Sequence, residues 1–216
     1  MTIKELRNDI ERRKGRRDQI EKDIEKARAT IKEADRQIKW HEQAREILRE
    51  VGLRTQQQLQ YHISEITSLA LEAVFSDTPN GPYSLVVEFI ERRNKTECDL
   101  LFERKGSRVD PLSASGGGAV DVAAFALRTA SWSMMQPKSR PVLILDEPFK
   151  CLKGEDANLK VLDMVKEVSQ KLGMQIIMVS DERVNREDII EKTDRAFLVD
   201  IDSKGISQIT VLEKRE

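Results

Sequence analysis

The chain has 216 residues, a formal net charge of −1, 35% charged residues and only 5% aromatic ones. That is enough for one domain plus an extension, and the excess of charge over aromatics points to a long solvated helix. No apolar run reaches the roughly 18 residues of a membrane span, and the start, MTIKELRNDIERRK, has no signal-peptide core, so export and membrane insertion are not expected. Cys98 and Cys151 have no metal-ligand spacing and read as reduced thiols of a cytoplasmic protein. Residues 1–60 carry 16 Lys and Arg against 12 Asp and Glu, so the remainder is acidic.

In chain order, a heptad helix comes first. With Ile3 at a, the a series is Ile3, Ile10, Arg17, Ile24, Ile31, Ile38 and Arg45. The d series is Leu6, Arg13, Ile20, Ala27, Ala34, His41 and Leu48. Ten of these fourteen positions are apolar, which is a coiled-coil seam rather than the wider stripe of a helix lying on a globule. Inside it, "RRKGRR" (12–17) places Arg13 and Arg17 in the seam around Gly15, as a break, a helix end or a basic contact point for nucleic-acid phosphates. His41 and His62 lack metal-ligand neighbours and read as packing or surface residues.

The rod is expected to stop near Val51-Gly52. Thr55 then offers an N-cap with Gln58 at N3, opening a second amphipathic helix with Leu59, Ile63, Ile66, Ala70 and Val74 on one face. "SDTPNGP" (76–82) breaks it. "SLVVEFI" (84–90) and "ECDLLFE" (97–103), joined by "ERRNKT", read as an antiparallel hairpin.

The chemistry-bearing residues follow. Gly116, Gly117 and Gly118 precede a helix-length run with Val120, Ala123, Ala124 and Leu127 on an apolar face. Such a start either cradles a phosphate on free N–H groups, with Ser113 or Ser115 adding a hydroxyl, or is only a turn. "PVLILDEP" (141–148) reads as a buried strand delivering Asp146, able to ligate Mg²⁺, and Glu147, able to polarise an attacking water. A helix to Leu172, stopped by Gly173, leads to a second buried strand, "QIIMVS" (175–180). "RAFLVDI" (195–201) pairs through "DSKG" with "ISQITVL" (206–212). Strand, helix, strand with continuous apolar runs predicts a parallel sheet.

This order of coil, hairpin, Ser-Gly-Gly helix, hydrophobic-Asp-Glu-Pro strand and a strand ending in Val179-Ser180 resembles the C-terminal half of an ABC-type ATPase head of the SMC and SbcC kind, which serve DNA repair and chromosome organisation. The resemblance covers essentially the whole chain. It implies an α/β fold, the C-terminal lobe of a P-loop ATPase head with a parallel sheet and β-hairpins, behind a long N-terminal coiled-coil helix. Residues 1–54 would be the coil and 55–216 the lobe. Ser115, Gly116, Gly117 and Gly118 resemble the signature motif, which contacts the terminal phosphate of ATP held by an opposing head. Asp146 resembles the Walker B aspartate on Mg²⁺ and Glu147 the catalytic glutamate, while Arg128 matches an arginine common on that helix. Three departures stand out. The glycines number three with no acidic or amide residue after them, Leu152-Lys153 replaces Leu-Asp, and Asp181 replaces the switch histidine. A carboxylate donates no hydrogen bond to a γ-phosphate unless protonated.

No GxxxxGK[ST] phosphate loop occurs in the chain. In the family that loop lies in an N-terminal lobe, before the coil leaves the head, so the expected partner is a Walker A-bearing lobe or subunit with a matching coil. The start methionine fits a separately encoded half as well as a fragment. The function expected is half of a split ATPase acting with ATP and Mg²⁺ in DNA repair, recombination or replication. Hydrolysis would occur only in the complex, with DNA, a nuclease subunit or a second copy as further partners. The alternative is a non-hydrolytic coiled-coil module that regulates or scaffolds an intact ATPase.

Overall fold

The computed structural model describes residues 2–93, 95–180 and 184–212. The chain divides into two compact units, Met1–Thr55 and Gln56–Glu216.

From Ile3 onward the first unit is helical, as part of α1 (Ile3–Phe75). Neither glycine interrupts α1, which rules out a break or helix end at Gly15 and corrects the expected end near Val51-Gly52. Each costs about 1 kcal/mol relative to alanine, but strong helix formers and local ion pairs surround both. Arg12 and Arg13 reach Asp9 at 2.7 and 2.8 Å beside Gly15, and Arg54 reaches Glu50 at 2.6 Å across Gly52. Such i,i+3 and i,i+4 pairs add about 0.2–0.5 kcal/mol each. Thr55 is no cap either, since its hydroxyl donates back to the Val51 carbonyl at 2.8 Å inside the continuing helix. The seam residues are exposed, from Ile10 at 45% to Ile3 at 89%.

The second unit takes up α1 at Gln56 and buries its end. Thr67, Leu71 and Val74 face a core shared with Leu85, Val87, Phe102, Val122, Phe125, Leu145 and Val161. The Ser68 hydroxyl accepts from the Leu85 N–H at 2.9 Å, fixing the helix against the first strand. The hairpin is as expected, β1 (Ser84–Arg92) antiparallel to β2 (Lys95–Arg104), with both strands running on into the anticipated connection. A third strand, β3 (Ser107–Val109), was not anticipated. It returns through Lys105 and Gly106, both at positive φ (53° and 78°), which matches the twist of a two-residue hairpin loop.

Next come α2 (Pro111–Ala114), capped by Asp110, and α3 (Gly117–Met134). On α3 the buried residues are Ala119, Val122, Ala123, Phe125, Ala126, Thr129 and Ala130; of the expected stripe, Ala123 is buried and Val120 and Leu127 pack half-buried against the core. β4 (Val142–Asp146) and β5 (Gln175–Val179) pair in parallel across α4 (Glu155–Leu172). Gly173 closes α4 at φ 59°, as expected of a C-terminal stop. α5 (Arg186–Lys192) was not foreseen; Lys192 anchors it to Asp163 of α4 at 2.7 Å. β6 (Ala196–Ile201) and β7 (Ser207–Leu212) form the expected second hairpin.

The apolar strands are not buried on both faces. Leu143, Leu145, Ile176 and Met178 meet the core, whereas Val142, Ile144 (72% exposed), Ile177 and Val179 face outward. On the second hairpin Phe197 opposes Val211 and Val199 opposes Ile209 (71% exposed), again outward. A parallel sheet is ordinarily covered on both sides, and here one side of the β4–β5 pair is bare.

Candidate functional site

The acidic end of β4 is shaped by its neighbour. Asp146 pairs in register with Val179, and the next N–H, that of Glu147, donates to the Val179 carbonyl at 3.1 Å. Leu145 pulls the strand into the core at 2% exposure, so the chain must turn immediately to bring both carboxylates to solvent. Glu147 makes that turn at φ 41°, left-handed backbone that costs a non-glycine residue of order 1 kcal/mol or more and clusters at functional sites. Asp146 is the last residue of the parallel strand and Glu147 the first beyond it, at the carboxyl end where open α/β sheets bind ligands.

Two tight turns bring the chain back, Lys150 N–H to Glu147 O at 3.3 Å and Leu152 N–H to Phe149 O at 3.0 Å. The loop packs on the start of α3. A β-carbon on Gly117 would lie 2.7 Å from Cys151 Cβ, and one on Gly118 would lie 2.9 Å from Leu152 Cδ1 and 3.1 Å from Leu152 Cα. These two glycines are therefore demanded by packing. Gly116, the N-cap of α3, has nothing within 4 Å of an added β-carbon. At this helix start the N–H groups of Gly117 and Gly118 have no intrahelical acceptor, which is the electrostatic basis for holding an anion.

The serines are committed elsewhere. The Ser115 hydroxyl donates to the Pro111 carbonyl at 2.5 Å, and that of Ser113 to the Asp110 carboxylate at 2.9 Å. Asp110 also accepts from the Leu112 and Ser113 N–H groups; chiefly the Ser113 bonds hold its carboxyl below the usual range. Of the predicted residues, Gly117 and Gly118 pack against Cys151 and Leu152 of the loop that follows Glu147, whereas Ser115 and Gly116 make no contact with it among the described residues. Asp181 lies outside the described residues. Arg128 is exposed on α3, as are His41 and His62 on α1, and the described residues hold no cluster of metal-ligating side chains. Cys98 and Cys151 are free and exposed.

Sequence reasoning missed Asp121. Its Oδ2 accepts from the Cys151 N–H at 2.8 Å, tying α3 to the loop. The signal was present, since Asp121 is the one carboxylate in a helix of small and apolar residues. Below the loop Phe125 meets Phe149 edge-on at 5.7 Å.

Solved structures of similar fold include two SMC heads. One is a Smc head bound to the C-winged helix domain of ScpA, 22% identical with a TM-score of 0.54, over 76% of this chain and 45% of that one. The fold is SMC-head-like. The other is a Smc head domain with an extended coiled coil, bound to the C-terminal domain of ScpA from Pyrococcus furiosus. It is 21% identical with a TM-score of 0.52, over 76% of this chain and 37% of that one. The chain spans less than half of either SMC head. No family model matches the sequence, and no curated protein matches it. No helix among the described residues is long and apolar enough to cross a membrane.

Proposed function

We propose that this chain supplies the glycine-started helix and the acidic strand end to a composite SMC-like ATP site, whose phosphate loop belongs to another lobe. The observation that carries the reading is the end of β4, where Asp146 and Glu147 reach solvent at the carboxyl end of a parallel strand and Glu147 is held in left-handed backbone. Asp146 is the residue suited to Mg²⁺ and Glu147 the one suited to polarising water. Mg²⁺ would neutralise developing phosphate charge when bound. Gly116, whose surroundings are open, is the signature glycine best placed to meet a phosphate, flanked by the N–H groups of Gly117 and Gly118. Ser115 contributes a donor only by releasing Pro111.

The bare outer faces of β4–β5 and β6–β7 support a partner lobe, because apolar patches of this kind mark interfaces. The exposed seam of Ile3 to Leu48 supports a matching coil. DNA repair, recombination or replication remains the setting suggested by the sequence resemblance, with DNA or a nuclease subunit as further partners. Several phosphate contacts to DNA predict a steep salt dependence. A mere two- to threefold change in affinity on lowering salt would remove DNA from the proposal.

A tagged chain isolated from its host should carry a stoichiometric polypeptide with GxxxxGK[ST] and a heptad run. In that complex Glu147→Gln should slow ATP turnover by about 10²–10⁴-fold, the usual worth of a proton-accepting group, while nucleotide binding persists. An unchanged rate removes Glu147 from the mechanism. The second reading, a non-hydrolytic module, is favoured by one observation: packing alone accounts for Gly117 and Gly118. It predicts that residues 1–58 reproduce the binding of the whole chain, and that the chain rides on an already complete ATPase.

A further inference from the structure

Gly117, Asp121 and Phe125 follow each other at four-residue spacing, so they share one face of α3. All three meet the same short loop, two of them at Cys151. Gly117 lies under Cys151, Asp121 accepts the Cys151 N–H, and Phe125 takes the Phe149 ring edge-on. Gly118 adds Leu152, which at 4% exposure is part of the core. The loop begins at Glu147, whose carbonyl accepts from Lys150. Asp121 stands in the second turn of α3, past the reach of the helix dipole, so its contribution is the directional hydrogen bond.

We infer that Asp121 is a positioning residue that fastens the loop following the acidic strand to the glycine-started helix. A contact made at Gly116–Gly118 is thereby transmitted to the backbone of Glu147. The fastening stands on the contacts themselves, while its consequence for hydrolysis rests on the composite-site reading above. A carboxylate is not essential for the bond. Any side-chain carbonyl in the same place accepts the Cys151 N–H, which separates asparagine from alanine.

The first test uses the full chain alone and needs no nucleotide, following hydrogen exchange of residues 148–153 by mass spectrometry. Asp121→Ala should speed exchange of the Cys151 amide about tenfold, the counterpart of losing one ordinary hydrogen bond. Exchange in the β1–β2 hairpin should stay unchanged. Asp121→Asn should remain within about twofold of the parent. Should Asp121→Ala fail to fold, Gly117→Ala takes its place, displacing Cys151 through the 2.7 Å overlap and loosening the same amide. Equal exchange in parent and alanine variant, or loosening spread evenly over the whole lobe, overturns the fastening. In the assembled ATPase Asp121→Ala should then lower kcat with KM within about twofold, and Asp121→Asn should restore it. An unaltered kcat, in a complex where Glu147→Gln is slow, overturns the transmission to Glu147. A complex in which Glu147→Gln changes nothing instead overturns the composite-site reading and leaves the exchange result standing.

Discussion

The two stretches of α1 on either side of Gln56 share one secondary structure and have opposite surroundings. Between Ile3 and Thr55 the apolar residues repeat every three and four positions and stay in solvent, with Ile24 at 47% exposure. Between Gln56 and Phe75 a similar spacing buries Leu71 completely and Val74 nearly so, against the β1–β2 hairpin. The hydrogen bonds of a helix are local and a long one propagates residue by residue, whereas burial needs a neighbour.

The largest expected effect sharpens this contrast. Leu71→Ala should destabilise the chain by about 2–5 kcal/mol, as large-to-small changes in a closed core do. Ile24→Ala should move the chain's stability by no more than about 0.5 kcal/mol, as at other exposed sites. Chemical denaturation of both variants checks this. A large effect of Ile24→Ala at low concentration would mean that the seam is already covered by another copy.

The glycines allow the same comparison within three residues. Gly118→Ala presses a methyl onto Leu152 and should cost about 1–3 kcal/mol, the usual range for overpacking. Gly116→Ala meets open space and should cost only the loss of a glycine N-cap, about 0.5 kcal/mol. If Gly116→Ala nonetheless weakens nucleotide affinity of the assembled complex, the N-cap glycine serves the ligand and its two neighbours serve the fold. Equal destabilisation by the two would dissolve that distinction.

Two smaller effects complete the series. Thr67, on the buried stretch of α1, is fully buried with its hydroxyl lacking a hydrogen-bond partner among the described residues. Thr67→Val removes an unsatisfied group at nearly constant volume and should stabilise by about 1 kcal/mol, seen as a raised denaturation midpoint. At Asp110 the folded carboxyl titrates below its unfolded value, because the Ser113 bonds favour the charged form. Its contribution is therefore complete above the unfolded carboxylate pKa, near 3.9, and disappears as pH falls through the lower folded value. Asp110→Ala should be less stable than the parent at pH 7, and the gap should close in strong acid. A gap that persists there would place the role of Asp110 in backbone geometry rather than charge.

Local rules, acting between residues a few positions apart, determined much of this protein. The heptad spacing, the two hairpins, the αL stop at Gly173 and the apolar strand ending in Asp146-Glu147 all follow from the sequence order alone. Even the missed β3 was written locally, in Lys105-Gly106. The continuity of α1 through Gly15 and Gly52 was harder to see, because a glycine reads as a stop until the ion pairs around it are counted. Tertiary structure alone decided which apolar residues are covered. Ile144 and Leu145 look alike in the run "VLIL", yet only one faces α3 and α4. It also decided the use of the glycines and of Asp121, whose partners Cys151 and Leu152 lie some thirty residues away along the chain. No spacing rule reaches that far, because a contact across thirty residues exists only once β4 has carried the chain back past the start of α3.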